Sequence, residues 1–215
     1  MVVRLDDKLW FPDPHYGEED GLVAVGGDLS VDRLLLAYSY GIFPWYAFER
    51  NEPMWFCPLQ RFVIFPKEIH ISHSMQQLLN KNRYRVTFNQ DFGGVIRGCA
   101  TAQNRNEEEG AWLGPDIIEA YSELHRQGFA VSVEVWDGER LVGGLYGVNL
   151  GKTFIGESMF SLVPNASKLA LIYLARMMEV LGGTMIDCQL ETSHLRSMGG
   201  RFIPYEEYLS ILRKE

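Results

Sequence analysis

The sequence predicts an α+β fold, and three observations carry that reading. Val131, Val133 and Val135 alternate with Ser132, Glu134 and Trp136, the period of a half-buried strand. Tight turns at Asp137-Gly138 and Gly151-Lys152 join this run to two more, Arg140 to Asn149 and Thr153 to Phe160, giving three successive antiparallel strands. A helix-patterned stretch from Asn165 to Leu181 then precedes another apolar strand, Met185 to Leu190.

Local signals place the other elements. Ser30 can cap a helix over Val31 to Tyr40, with Leu34, Leu35 and Tyr38 on one side and Gly41 as the stop. Gly41 to Pro58 is too rich in proline and aromatic residues for a helix and reads as an ordered loop. Arg61 to Phe65 is strand-like and ends at Pro66. A short helix from Ser72 or Ser74 to Asn80, a strand Arg83 to Phe88, and helices Asp91 to Ala100 and Pro115 to Gln127 follow. Two short helical pieces around Leu195 and Tyr208 complete the pattern.

Of the 215 residues, 47% are hydrophobic and 22% charged, a globular composition that argues against a disordered or collagen-like chain. No run approaches the roughly 20 apolar residues of a membrane helix. Arg4, Asp6, Asp7 and Lys8 break any leader-like apolar segment, so a cytoplasmic protein is expected. Cys57, Cys99 and Cys188 lie far apart without C-x-x-C spacing, and His70 and His73 have no clustered acid or thiol beside them. Reduced cysteines and no metal site are expected.

The net charge of −8 argues, on average, against a nucleic-acid partner. The average conceals a segregation: net −6 over residues 1–60, +5 over 61–105 and −7 over 106–215. Arg61, Lys67, Lys81, Arg83, Arg85, Arg97 and Arg105 make the middle segment a candidate phosphate-facing surface.

Two acids stand out because they interrupt apolar strands. Strict alternation puts Ile155, Glu157 and Met159 on one face. It puts Asp187 and Gln189 on one face of the next strand and Ile186, Cys188 and Leu190 on the other. If that strand is central, Asp187 is a buried carboxylate that needs a cation or donors. Such acids are either satisfied core groups or parts of a pocket, and the acceptors of Asp187 and Gln189 suit an attacking amine. Leu171, Leu174 and Met178 form a stripe at helical spacing that belongs to the core or lines that pocket. Trp45, Trp55 and Trp112 are core residues by default, yet the proline-framed Trp45 suits a stacking platform for a base. No G-x-G-x-x-G or Walker loop occurs, and Ser158 lacks a G-x-S-x-G elbow, so neither a dinucleotide site nor a hydrolase triad is supported.

Several motifs carry a resemblance to a known family: G-L-V-A-V-G-G-D-L-S from Gly21, Y-G-I-F-P-W from Tyr40, H-I-S from His70, L-V-G-G-L-Y-G from Leu141, G-E-S-M-F-S from Gly156, N-A-S-K from Asn165 and I-D-C-Q from Ile186. In this order, across about Gly21 to Tyr208, the chain resembles the leucyl/phenylalanyl-tRNA protein transferases. The resemblance implies a GNAT-like mixed sheet with helices over residues 63–215, behind a smaller N-terminal α/β domain over 1–62. It also implies transfer of Leu or Phe, with Met as a further candidate, from aminoacyl-tRNA to the N-terminal Arg or Lys of a protein, creating a degradation signal.

By position, Glu157, Asp187 and Gln189 match the family's functional polar residues, and Trp45 matches the aromatic associated with the terminal adenosine. Leu145, Phe154, Met159, Leu171, Leu174, Met178 and Ile186 occupy its amino-acid pocket positions, and Trp112 joins the substrate-binding candidates. Asp187 is expected to orient Gln189 and help hold the acceptor amine, with Glu157 and Asp187 supplying negative charge near the acceptor's Arg or Lys. Where relatives often carry basic residues after H-I-S, this chain has His73, Gln76, Gln77 and Asn80, and Lys81, Arg83 and Arg85 just beyond are the candidate tRNA contacts. An aminoacyl ester is already activated, so no ATP, metal or other cofactor is expected.

Three other readings compete. An acetyltransferase of related fold needs a glycine-rich pyrophosphate loop before its helix, and Leu162-Val163-Pro164-Asn165-Ala166 offers none. A cell-wall aminoacyl-tRNA transferase shares the donor but not the acceptor. A non-catalytic tRNA-binding protein would have no need for Glu157, Asp187 and Gln189 together.

Overall fold

The computed structural model describes residues 2–47, 52–101 and 114–214. Its first part is a four-stranded sheet of Val3–Leu5 (β1), Leu22–Gly26 (β2), Phe43–Ala47 (β3) and Glu52–Phe56 (β4), in the order β1-β2-β4-β3. β1 and β2 are parallel and the other pairs antiparallel. Helix Val31–Ser39 (α1) links β2 to β3, with the Ser30 side chain accepting from the Arg33 backbone N–H as its cap.

The stretch expected to be a loop is therefore a pair of strands. Proline argues against a central strand, but β3 is the sheet's edge, where a missing donor need cost no ladder bond. Pro53 lies outside the part of β4, Met54 to Phe56, that β2 pairs. Trp55 then fills the interior of this sheet: it is wholly buried, donates from Nε1 to the Gly26 carbonyl at 2.8 Å and meets the Phe11 ring edge-on.

The second sheet has seven strands: Gln60–Ile64 (β5), Arg85–Phe88 (β6), Ala130–Asp137 (β7), Arg140–Leu150 (β8), Thr153–Ser161 (β9), Met185–Gln189 (β10) and Arg201–Pro204 (β11). Their order is β11-β5-β10-β9-β8-β7-β6. The α+β reading holds, and the three antiparallel strands β7, β8 and β9 stand side by side as expected. β9 and β10 are parallel because helix Ala166–Leu181 (α5) carries the chain back between them. β1, β2 and β11 were not foreseen, since three to five residues, or an unbroken apolar run such as Leu22 to Val25, display no alternation.

Helices cover both faces of this sheet. Phe62, Ile64, Leu145, Phe154 and Ile186 pack with α5 and with His73–Lys81 (α2) and Ser193–Ser197 (α6). Val63, Tyr146, Ile155, Phe160 and Met185 join the other cluster, with Phe92–Thr101 (α3), Pro115–Arg126 (α4), Tyr205–Leu212 (α7) and residues of α1. Neighbours such as Phe62 and Val63 fall in different clusters, which is the two-residue period of a strand with both faces covered. The N-terminal sheet shares the second cluster through Val23, Phe43 and Trp55.

Trp55→Phe deletes the Nε1 donor and part of the ring, leaving the Gly26 carbonyl and a small void inside. A loss of about 2–4 kcal/mol is expected, read as a lower midpoint in urea with an unchanged slope.

Candidate active site

The site arises where two parallel strands part. β9 and β10 pair only from Thr153 to Ile155 and from Met185 to Asp187. Immediately beyond, each strand carries one extra residue. The β8–β9 register jumps from Gly147↔Gly156 to Tyr146↔Ser158, so Glu157 is the additional residue of β9. The β5–β10 register jumps between Asp187 and Gln189, which makes Cys188 the additional residue of β10. Bulges of this kind re-aim side chains and end pairing.

Alternation is broken as a result. Ile155 packs in the cluster toward α3 and α4, whereas Met159 packs toward α5, so the common face expected for Ile155, Glu157 and Met159 does not exist. Gly147 makes the jump possible: a Cβ there would stand 2.1 Å from the Ile155 carbonyl oxygen. On β10, Gln189 adopts a left-handed backbone with φ of 62°, a conformation few side-chain-bearing residues enter.

Asp187 is the buried carboxylate its strand position required, with no exposed surface. Arg61 on β5 donates to it through Nε and Nη2, at 2.8 Å each. The Tyr208 hydroxyl of α7 donates to Oδ2 at 2.9 Å, and the Gln189 backbone N–H donates to Oδ1 at 2.8 Å. Arg61, fully buried, lies between the rings of Phe43 and Tyr208, 4.8 Å from each centroid. This corrects its place in the basic segment: Arg61 is an internal counter-ion, not part of a surface. Asp187 is thus bonded to the Gln189 backbone; it is among the residues lining the larger of the two adjoining cavities, and both its carboxylate oxygens are taken by protein donors.

Glu157 has a different environment. The Tyr38 hydroxyl donates to Oε1 at 2.7 Å and the Tyr121 hydroxyl to Oε2 at 2.9 Å, and the two tyrosine hydroxyls also touch. The Gln189 side-chain amide approaches Oε1 at 3.4 Å. Burial pushes the Glu157 carboxyl up to about 7; the nearby Asp187 adds to the rise, and the two tyrosine bonds and Arg61 oppose it. Burial raises Tyr38 and Tyr121 well above the usual phenol range, so both remain donors at neutral pH.

Beside these groups lies a cavity of about 480 Å³. Leu145, Phe154, Met159, Leu171, Leu174 and Ile186 line its apolar part, and Glu157, Gln189 and His194 are among its polar groups. Met178 is buried in the same core but lies outside the lining. A smaller cavity of about 120 Å³ adjoins it, formed by Phe43, Pro44, Trp45 and Leu190 together with Glu157 and Gln189. Glu157 and Gln189 thus stand at the junction of an apolar chamber and an aromatic one. Trp112 lies outside the described residues.

The basic segment does not form one patch. Lys81 ends α2, and Arg85 lies on β6 at the far edge of the sheet, beside Gln90 and over the Trp136 ring. Arg83 pairs with Asp137 at 2.9 Å. Arg97 is exposed on α3, on the opposite face from α2, and Arg105 lies outside the described residues. Arg61, Tyr38, Tyr121 and Tyr208 were missed from the sequence. Only the need of Asp187 for a cation or donors hinted at them.

Among the described residues no group of three or more His, Cys, Asp or Glu is arranged to hold a metal ion, and no helix is long and apolar enough to cross a membrane.

The raised proton affinity of Glu157 has a sign for stability. The folded state holds this proton more tightly than the unfolded chain, so the associated stability is present below about pH 4.5 and is lost as pH rises through about 7. Glu157→Gln, which mimics the protonated form, is expected to melt higher than the wild type near pH 8 by several degrees, on the order of 3 kcal/mol, with the gap closing toward pH 4.5. Thermal melts across that range check it, and a gap independent of pH would contradict it.

The family model for leucyl/phenylalanyl-tRNA protein transferase matches residues 63–213, and the model for the N-terminal domain of that family matches residues 27–59. The chain is 53% identical over 214 residues to the leucyl/phenylalanyl-tRNA protein transferase of Syntrophus aciditrophicus, covering 99% of this chain and 88% of the relative. It is 49% identical over 211 residues to that of Syntrophobacter fumaroxidans, covering 98% and 89%. With that of Flavobacterium psychrophilum the identity is 48% over 211 residues, covering 98% and 99%. On a splayed parallel strand pair, with its two acids and the chambers beside them, this chain belongs to the leucyl/phenylalanyl-tRNA protein transferase family.

Proposed function

We propose that this enzyme moves Leu or Phe from aminoacyl-tRNA to the N-terminal Arg or Lys of an acceptor protein, and so creates an N-terminal degradation signal. One observation carries the reading beyond family membership: Glu157 and Gln189 border both the apolar chamber and the Trp45 chamber. A donor whose side chain fills the first and whose terminal adenine stacks on Trp45 in the second has its ester at that junction. The acceptor amine attacks the ester carbonyl carbon, the carbonyl–ribose oxygen bond breaks, and the proton lost by the amine ends on the ribose oxygen. The enzyme's contribution is to hold ester and amine together and to keep water away.

Gln189 and Glu157 hold the acceptor amine in this reading, and a carboxyl pushed up to about 7 is suited to carry a proton at neutral pH. Negative charge at Glu157 also favours an acceptor that begins with Arg or Lys. Arg85 on the edge strand β6, three strands from β9, Arg83 just before that strand and Lys81 at the end of α2 are proposed contacts for the tRNA backbone, and Trp112 for the substrate. We read residues 63–215 as a GNAT-like unit, a reading supported by the β9–α5–β10 splay, and residues 1–62 as the unit that presents Trp45. We place the enzyme in the cytoplasm, where charged tRNA is available.

Incubation with Phe-tRNA or Leu-tRNA and peptides starting with Arg, Lys, Asp or Met, followed by mass spectrometry, tests the reading. Addition of Phe or Leu to the Arg and Lys peptides alone is expected; no addition to any peptide would overturn it. Within the chamber, Leu174→Phe is expected to lower kcat/KM for Phe about tenfold more than for Leu, because the larger donor loses its space first. Equal losses would count against the chamber as the side-chain site.

A further inference from the structure

The arrangement around Asp187 assigns work to two residues that touch neither chamber's contents. A carboxylate offers about four lone-pair directions. Asp187 has four donors, two on each oxygen: Arg61 Nε and the Gln189 N–H on Oδ1, Arg61 Nη2 and the Tyr208 hydroxyl on Oδ2. Asp187 is among the residues that line the larger cavity, but its side chain has no exposed surface and all four lone-pair directions are filled by protein donors. One of those bonds fixes the backbone of Gln189 in its left-handed conformation, the conformation from which its amide reaches toward Glu157.

The donors are themselves braced. Arg61 is held between the rings of Phe43 and Tyr208, and Phe43 lies on β3, the strand that carries Trp45. The Tyr208 ring packs against Gly41, whose φ is 72° and where a Cβ would stand 2.7 Å from the ring. One guanidinium therefore registers β5, β10, β3 and α7 together, which a planar, bidentate, stacking group can do and an ammonium cannot.

We infer that Arg61 and Tyr208 are positioning residues of the transfer reaction: they hold the Asp187 carboxylate by its two oxygens so that it fixes Gln189, whose amide together with Glu157 meets the acceptor amine. The inference rests on the transfer reading above. Asp187 acts through Gln189 and never touches the acceptor, so what it must supply is a hydrogen-bonded anchor and not a charge.

A rescue experiment separates these roles, using the full chain, Phe-tRNA and an Arg-starting peptide, with rates expressed per folded protein from circular dichroism. Absence of transfer by the wild type overturns the functional reading itself. With the wild type active, Asp187→Asn is expected to lower kcat about 30-fold or more while the acceptor KM stays within about threefold, since the Asn amide opposes Arg61 Nη2.

The double variant Arg61→Gln/Asp187→Asn places the Gln amide where Arg61 Nε lies and rebuilds a neutral anchor. It is expected to recover about tenfold of the lost kcat. Tyr208→Phe removes one hydroxyl only and is expected to lower kcat roughly 3- to 10-fold at unchanged acceptor KM. A large rise in acceptor KM with kcat retained in Asp187→Asn, or a folded double variant with no recovery, would show that the carboxylate acts on the substrate directly and overturn the inference. Should the double variant fail to fold, Tyr208→Phe decides: unchanged kcat contradicts the inference, and a kcat-only loss supports it.

Discussion

The buried pair between Arg61 and Asp187 is the constraint on which the rest of this structure depends. Two charged side chains with essentially no exposed surface must compensate one another, and removal of either would leave a charge inside the protein at a cost of several kcal/mol. Such pairs seldom add net stability compared with apolar residues of the same shape. Their value lies in geometry, and here the geometry is shared: the aspartate belongs to the strand that bears Gln189, and the arginine touches the strand that bears Trp45. Packing of the N-terminal sheet against the larger one and placement of Gln189 beside Glu157 both involve this contact.

Around that anchor the sheet opens. An extra residue in each of two adjacent parallel strands ends their pairing and turns Glu157 and Gln189 toward each other across the gap. The features that build the site are also those that burden the fold: a left-handed Gln189 and a buried Glu157 whose charged form is disfavoured. Local strain and a desolvated acid persist because Arg61, Tyr38, Tyr121 and Tyr208 surround them with directed hydrogen bonds and because the flanking clusters are closely packed. The Leu and Phe side chains proposed for the chamber ask little of it beyond apolar surface and volume, which suits tolerance of two side chains.

Much of this was legible in the sequence, where the relevant physics is local. Ser30 announced the start of α1, the alternation after Gly128 announced β7 to β9, and an acid inside each of two apolar strands announced Glu157 and Asp187. What escaped depends on residues brought together from afar. The cation for Asp187 lies 126 positions away, and nothing near Arg61 distinguishes it from a surface arginine of a basic segment. The bulges at Glu157 and Cys188 were invisible because alternation is read by assuming that none occurs. The strands β3 and β4 were hidden by prolines, whose usual meaning changes at a sheet edge.

The proposed position of the donor ester is the junction held by Glu157 and Gln189. It is tested most directly by the structure of the enzyme with an unreactive amide analogue of the aminoacyl-adenosine terminus. The donor side chain is expected among Leu145, Met159, Leu171 and Leu174, the adenine against Trp45, and the carbonyl beside Gln189. A side chain lodged elsewhere, or a carbonyl remote from both Gln189 and Glu157, would contradict it.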